Sequence, residues 1–256
     1  SDHLIKNEIE YEKVLEKAKE FANDNKLVTF GITPTFAETG FGYIESENTF
    51  DVKAFHEKPD FKTATSYLEA GNYYWNSGMF MFKAGVFLEE LQKYSPEIFD
   101  TSKQALQNAT KDEIIRIKHD DMFNIPEDSI DYAVMEKSNI VKVIPSNINW
   151  SDVGSFDALY DELPTDENGN TINPNHIGID SKNNLVHGND RVIATVDMED
   201  CIIVDTGDAI LISKKGSSQK VKQVVNEIRK TTQLHNIHLT GHRPWGTYTV
   251  LEESAG

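Results

Sequence analysis

The first regular pattern along the chain has a helical period. Between residues 8 and 25 the apolar positions Ile9, Val14, Leu15, Ala18, Phe21 and Ala22 share one face, while Glu10/Lys13 and Glu16/Lys19 form i,i+3 pairs on the other. An amphipathic surface helix is predicted. Leu27-Val28-Thr29-Phe30-Gly31-Ile32 then runs without alternation up to Pro34, as a strand buried on both faces does, which implies a parallel or mixed sheet. Strands at 52–57, 78–83 and 140–144 and helices at 61–70, 84–94 and 97–107 continue the alternation, and another helix opens near 156. Strands and helices alternating over about 160 residues predict an α/β layered domain.

The pattern changes at the polar, turn-rich stretch Leu163-Pro164-Thr165-Asp166-Glu167-Asn168-Gly169-Asn170, where a domain boundary is expected. Beyond 177 the helical period disappears. Short β-rich pieces recur at 184–187, 191–196, 201–205 and 209–213, a small β unit whose repeat is too irregular for a hexapeptide period. A helix carrying Val221, Val224, Val225 and Ile228 on one face closes it, and a linker with three histidines and one proline follows over 232–247.

Charge and composition then narrow the function classes. With 25 Lys+Arg against 42 Asp+Glu, the net charge of −17 repels nucleic-acid backbones and anionic membranes, so neither is an expected partner. No apolar run is long enough to span a bilayer and no signal-peptide pattern opens the chain. The single Cys201 rules out an intrachain disulfide and fits a reducing, cytoplasmic location; in its β-rich run it reads as a core residue.

Four clusters depart from a plain α/β core. In Phe55-His56-Glu57-Lys58-Pro59, at a strand end, Glu57 can accept hydrogen bonds from sugar hydroxyls and Lys58 can neutralise phosphate, or the two can form an exposed ion pair before a turn. Asn76-Ser77-Gly78, flanked by aromatic residues, either holds a sugar ring or makes a tight turn into a buried strand. Thr39-Gly40-Phe41-Gly42-Tyr43 is a Gly-flanked loop, a weak signal by itself. Asp152, in Trp150-Ser151-Asp152-Val153-Gly154-Ser155, is a ligand or metal carboxylate on one reading and a helix N-cap on the other. His235, His238 and His242 have ligand-like spacing, but on a linker with no carboxylate beside them solvated side chains are the expectation.

Taken in order, Ser1-Asp2-His3, the Thr39–Tyr43 loop, His56-Glu57-Lys58-Pro59, Asn76-Ser77-Gly78, Ser129-Ile130-Asp131-Tyr132-Ala133-Val134-Met135-Glu136-Lys137 and Trp150–Ser155 resemble the mannose-1-phosphate guanylyltransferase family. The resemblance runs from the first residue to the last. Residues 177–230 resemble the β-rich segment that follows the transferase body, and His242-Arg243-Pro244-Trp245-Gly246-Thr247-Tyr248 resembles the opening of the mannose-6-phosphate isomerase domain of the bifunctional form. It implies part of a Rossmann-like mixed sheet over 1–162, a linker at 163–175, a small β-rich, left-handed β-helix-like domain with a closing helix over 176–231, and the start of an isomerase-like domain at 232–256.

The implied reaction is attack by a mannose-1-phosphate oxygen on the α-phosphorus of GTP, giving GDP-mannose and pyrophosphate. A phosphate monoester with a second pKa of about 6 is already ionised at neutral pH, so no general base is needed. Bringing two anions together requires a cation, and Mg²⁺ takes one or two carboxylates plus phosphate oxygens. By resemblance the carboxylates are Asp2 and Asp152. Glu57 and Asn76 would hold mannose hydroxyls, Lys58 the phosphate and Gly42 the sugar face, with Tyr43, Gly78 and Asp131 completing the substrate-binding set. No counterpart of the family's Gly-rich nucleotide loop precedes Ser1 and most of an isomerase domain is missing, so a piece of a longer chain is expected, inactive as a guanylyltransferase by itself. Another sugar-1-phosphate nucleotidyltransferase, an isomerase activity of a parent chain and a non-catalytic acidic interaction module are the alternatives, and a homo-oligomer is compatible with all of them.

Overall fold

The computed structural model describes residues 3–47, 50–188, 191–207, 209–231, 240–243 and 246–249. It divides into two compact units, Leu4–Trp150 and the chain from Ser151 onward together with the first three residues.

In the first unit the elements run α1 (Glu8–Asn23), β1 (Leu27–Ile32), β2 (Tyr43–Glu45), β3 (Ala54–His56), α2 (Phe61–Ala70), β4 (Tyr73–Met81), α3 (Ala84–Tyr94), α4 (Pro96–Gln107) and β5 (Val141–Ser146). The sheet order is β3-β2-β4-β1-β5; only β1 and β5 are parallel, which makes the sheet mixed. All six residues of β1 are buried. Val28, Phe30 and Ile32 pack with Val14 and Ala18 of α1 and with Ile144, while Leu27 joins Leu91, Val134, Met135 and Val141 on the opposite side. Two covered faces explain why β1 shows no alternation.

Helix ends follow local chemistry. The Asn7 side chain accepts from the Glu10 N–H at 3.2 Å and opens α1, Asp60 accepts from Thr63 N–H at 2.7 Å and opens α2, and Gly71 ends α2 at φ 73°.

The expected strand at 78–83 instead begins five residues earlier, at Tyr73. Its N-terminal half pairs with β2 (Tyr43↔Trp75, Glu45↔Tyr73) as well as with β1, so nonlocal hydrogen bonds keep Tyr73-Tyr74-Trp75 extended. Asn76-Ser77-Gly78 is not a turn into that strand but a bulge inside it. The register jumps from Gly31↔Asn76 to Thr29↔Phe80, Gly78 sits at φ 69°, and Ser77 Oγ donates to Phe30 O at 2.7 Å. A π-helical turn at Asp131–Met135, which the sequence pattern did not predict, packs Ala133, Val134 and Met135 with Leu27, Leu91 and Val141.

The second unit opens with α5 (Phe156–Glu162), whose Phe156, Leu159 and Tyr160 pack on Leu185, Ile202 and Val204. Residues 163–175, expected as a linker, contain a Thr165↔Thr171 bridge and the buried Asn170 and Thr171. Strands β6 (His176–Ile179), β7 (Leu185–His187), β8 (Ile193–Val196) and β9 (Cys201–Asp205) stack in parallel, β6 on β8 and β7 on β9, before β10 (Ile210–Lys214) returns antiparallel. His176↔Ile193, Lys182↔Glu199 and Leu185↔Ile202 share an offset of 17 residues, so one coil of a β-solenoid has that length. Asn184 joins its turns: its amide donates to Asn170 Oδ1 (2.9 Å) and Met198 O (3.0 Å), and its Oδ1 accepts from Cys201 N (2.9 Å). Cys201 is buried among Val186 and Ile203, as expected of a core residue. α6 (Val221–Thr231) follows. His235 and His238 lie outside the described residues. Among the described residues no helix is long and apolar enough to cross a membrane.

Candidate functional site

The fold of the first unit brings four separate sequence motifs together. The loop before β2 presents Gly42, β3 ends at His56 and projects Glu57 and Lys58, the β4 bulge presents Asn76 and Gly78, and the π-helical turn presents Asp131. The contacts joining them are short. A Cβ on Gly42 would lie 2.6 Å from Glu57 Oε2 and 3.7 Å from Asn76 Cβ, so the Glu57 carboxylate rests over a bare glycine beside Asn76. The Asn76 backbone N–H donates to Gly42 O at 2.8 Å, which locks the two together. Lys58 Nζ stands 3.2 Å from Glu57 Oε1. Lys58 has φ 41°, a left-handed conformation that is strained for a residue with a Cβ and reverses the chain just before Pro59.

Asn76 is held from three elements. Its Nδ2 donates to Asp131 Oδ1 at 2.8 Å, and its Oδ1 accepts from Gly78 N–H at 3.2 Å and from Thr29 Oγ at 3.4 Å. Burial, opposed by the hydrogen bond from Asn76 and reinforced by the Glu57 charge, pushes the Asp131 carboxyl above the ordinary aspartate value. Burial likewise raises Glu136, with Glu57 and then Asp131 adding to it. The cluster is therefore rich in carboxylates, with the Lys58 ammonium beside Glu57, a set that accepts hydrogen bonds from hydroxyls and meets an anion at Lys58.

Gly42, Glu57, Lys58, Asn76, Gly78 and Asp131 are thus neighbours. Tyr43 is a correction. Its side chain is fully buried, and its hydroxyl donates to Glu38 O (2.9 Å) and accepts from Glu38 N (3.1 Å), so it braces the loop and offers a ligand nothing. Thr29 and Glu136 are additions. Thr29 is the polar side chain in an apolar run, a visible signal; Glu136 lies inside the Ser129–Lys137 motif.

Asp2 lies outside the described residues. For Asp152 the two readings separate: α5 is capped by Ser155, whose Oγ accepts from Ala158 N–H at 3.1 Å, so Asp152 is not the cap. Its Oδ1 accepts from Gly154 N–H at 3.0 Å, and Val153 between them is held at φ 46°. Among the described residues no group of three or more His, Cys, Asp or Glu is arranged to hold a metal. A hard cation that keeps its waters and takes substrate phosphates needs only one or two carboxylates, and the Asp152 oxygens are donors of that kind.

Comparison with known proteins places these features. Residues 174–228 match the model of the MannoseP isomerase/GMP-like beta-helix domain. A mannose-1-phosphate guanylyltransferase of Salmonella muenchen is 42% identical over 258 residues, covering 98% of this chain and 54% of the relative, so the chain spans about half the length of the curated relatives it matches. Among solved structures, a mannose-1-phosphate geranyltransferase of Thermus thermophilus superposes with a TM-score of 0.75 at 28% identity, covering 89% of this chain and 68% of that one. A mannose-6-phosphate isomerase of Helicobacter pylori gives 0.57 at 41% identity over 59% of this chain and 62% of that one. The model described as nucleotidyl transferase matches residues 1–169, and the chain belongs to that family.

Proposed function

We propose that this chain carries the sugar-phosphate half of a guanylyltransferase that joins mannose-1-phosphate to GTP, forming GDP-mannose and pyrophosphate. The observation that supports it is the placement of Glu57 and Asn76 at Gly42 with Lys58 beside Glu57, an acceptor, an amide and a cation gathered where the backbone carries no side chain of its own. A pyranose packed beside Gly42 offers hydroxyls to the carboxylate and the amide. Its phosphate meets the Lys58 ammonium, which turns from Glu57 to the ligand.

The chain's own work in the reaction is positional. The nucleophile is an ionised phosphate oxygen, so what lowers the barrier is holding it in line with the α-phosphorus and offsetting the charge of two anions in a chain of net charge −17. Nucleotidyl transferases of this family generally use a divalent metal. We assign it as Mg²⁺, held by Asp152 with Asp2, where it would draw charge from the phosphates.

Likeness to a protein named mannose-6-phosphate isomerase favours a second reading, in which mannose-6-phosphate occupies the same site. Calorimetric titration of the chain separates the two. The guanylyltransferase reading expects mannose-1-phosphate to bind more tightly than mannose-6-phosphate or free mannose, and Lys58→Ala to weaken it toward free mannose. Equal affinity for the two phosphates, or indifference to Lys58→Ala, refutes it.

A further inference from the structure

Among the described residues, every hydrogen-bonding position of the Asn76 amide but one has a partner. An amide oxygen accepts at two lone pairs and an amide nitrogen donates two protons. At Asn76 the oxygen takes Gly78 N–H and the Thr29 hydroxyl, and one proton goes to Asp131. One N–H remains. Turning the amide over would set its NH₂ against the Gly78 N–H, donor facing donor, and its oxygen against the Asp131 carboxylate, acceptor facing acceptor. The surrounding groups therefore allow a single orientation.

We infer that Asp131 is a positioning residue that commits Asn76 to act toward the ligand as a donor of one proton, so that the site reads hydroxyl polarity, with Glu57 as the accepting partner and Asn76 as the donating one. This rests on the sugar-phosphate reading above. The distances support it: Glu57 Oε2 and Asn76 Cβ lie 2.6 and 3.7 Å from the Cβ position of Gly42, so the two groups stand side by side where the sugar would bind. A carboxylate only accepts, so a hydroxyl beside Glu57 must point its proton there, and the sugar oxygen beside Asn76 must be free to accept. A ligand group that can only donate is excluded at Asn76, and one that can only accept is excluded at Glu57. Asp131 is partly buried and its carboxyl is raised by burial, which fits a group placed to grip a side chain rather than to meet solvent.

The test is calorimetric titration with mannose-1-phosphate, with thermal melts run alongside. Asp131→Ala removes the grip and is expected to weaken binding about tenfold or more. Asp131→Asn keeps an oxygen that can accept the same proton and should bind within about threefold of wild type, a rescue that a role as a charge acting on the ligand does not allow. The decisive variant is the exchange Asn76→Asp/Asp131→Asn. It re-forms the hydrogen bond between the two positions with its polarity reversed, and Thr29 and Gly78 still find an oxygen to bond. It should melt with wild type yet bind about thirtyfold or more weakly, because the ligand now meets an acceptor where it met a donor. Wild-type affinity in the exchange variant overturns the inference, as does an Asp131→Asn as weak as Asp131→Ala. Absence of mannose-1-phosphate binding by wild type refutes the sugar-phosphate reading itself, and the inference with it.

Discussion

Gly42→Ala separates binding from folding. The added methyl would stand 2.6 Å from Glu57 Oε2, whereas ordinary contact needs about 3.4 Å, so the carboxylate must withdraw by roughly 0.8 Å. The atom that moves is the far end of a side chain that is 27% exposed, and Gly42 has no left-handed φ to lose. The cost to the fold is therefore below about 1 kcal/mol, partly offset by the smaller entropy of the unfolded alanine chain. The cost to a ligand is larger. Withdrawal by that much stretches a hydrogen bond of about 2.8 Å past the range in which it counts as one, and a bond to a charged acceptor is worth about 1.5–3 kcal/mol. Affinity for mannose-1-phosphate should fall by about 10- to 150-fold, with the melting temperature moved by no more than a few degrees. Because the effect acts through Glu57, Gly42→Ala and Glu57→Gln should not add: the double variant should bind no more weakly than the worse single one. Wild-type affinity in Gly42→Ala, or losses that sum in the double variant, would refute the placement of Glu57 over Gly42.

Three further outcomes follow from the packing and the charges. Gly31→Ala puts a methyl 2.6 Å from Val143 Cγ2 and 2.8 Å from Tyr74 Cβ in the sheet centre, where neither neighbour is a free chain end, and should cost about 1–3 kcal/mol or more, read as a lower urea midpoint at unchanged slope. Asn184→Ala leaves Cys201 N–H, Met198 O and Asn170 Oδ1 without that partner; at about 1–3 kcal/mol for each buried group, hydrogen exchange should show protection lost at Cys201 and kept through Leu27–Ile32. The raised Asp131 carboxyl makes the folded chain hold a proton that the unfolded chain has released, so wild type loses stability as pH rises from the ordinary aspartate value of about 4 through the folded value. Asp131→Asn lacks that loss, and its stability relative to wild type should climb across the window and then level; a difference constant with pH would contradict the shift.

How far the sequence anticipated all this depended on whether the deciding contact was local. The helices at Glu8–Asn23 and Phe61–Ala70 were legible because period and caps lie within a few residues of each other. The β4 bulge was not: Asn76-Ser77-Gly78 has turn chemistry, and only pairing with Tyr43–Glu45 and Val28–Ile32 keeps the chain extended on both sides of it. Asp131 and Asn76 stand 55 positions apart, so their hydrogen bond left no mark in spacing. Adjacency to Gly42 does not say which way the Tyr43 side chain points; it is turned inward into the cluster that also holds α1, α2 and β4 residues, beside Tyr67 of α2. For Asp152 the local sequence did hold the answer, since Ser155 is the better placed cap for the helix at Phe156, but spacing alone did not choose between them. The solenoid's 17-residue offset leaves no hexapeptide period in the sequence because it is not a multiple of that length.

The most direct test of the central claim is to map where mannose-1-phosphate binds by titrating it into the ¹⁵N-labelled chain and following amide shifts. The largest changes should fall at Gly42, Glu57, Lys58, Asn76, Gly78 and Asp131. Changes centred on the β-solenoid strands from His176 to Lys214, or no saturable change, would contradict it.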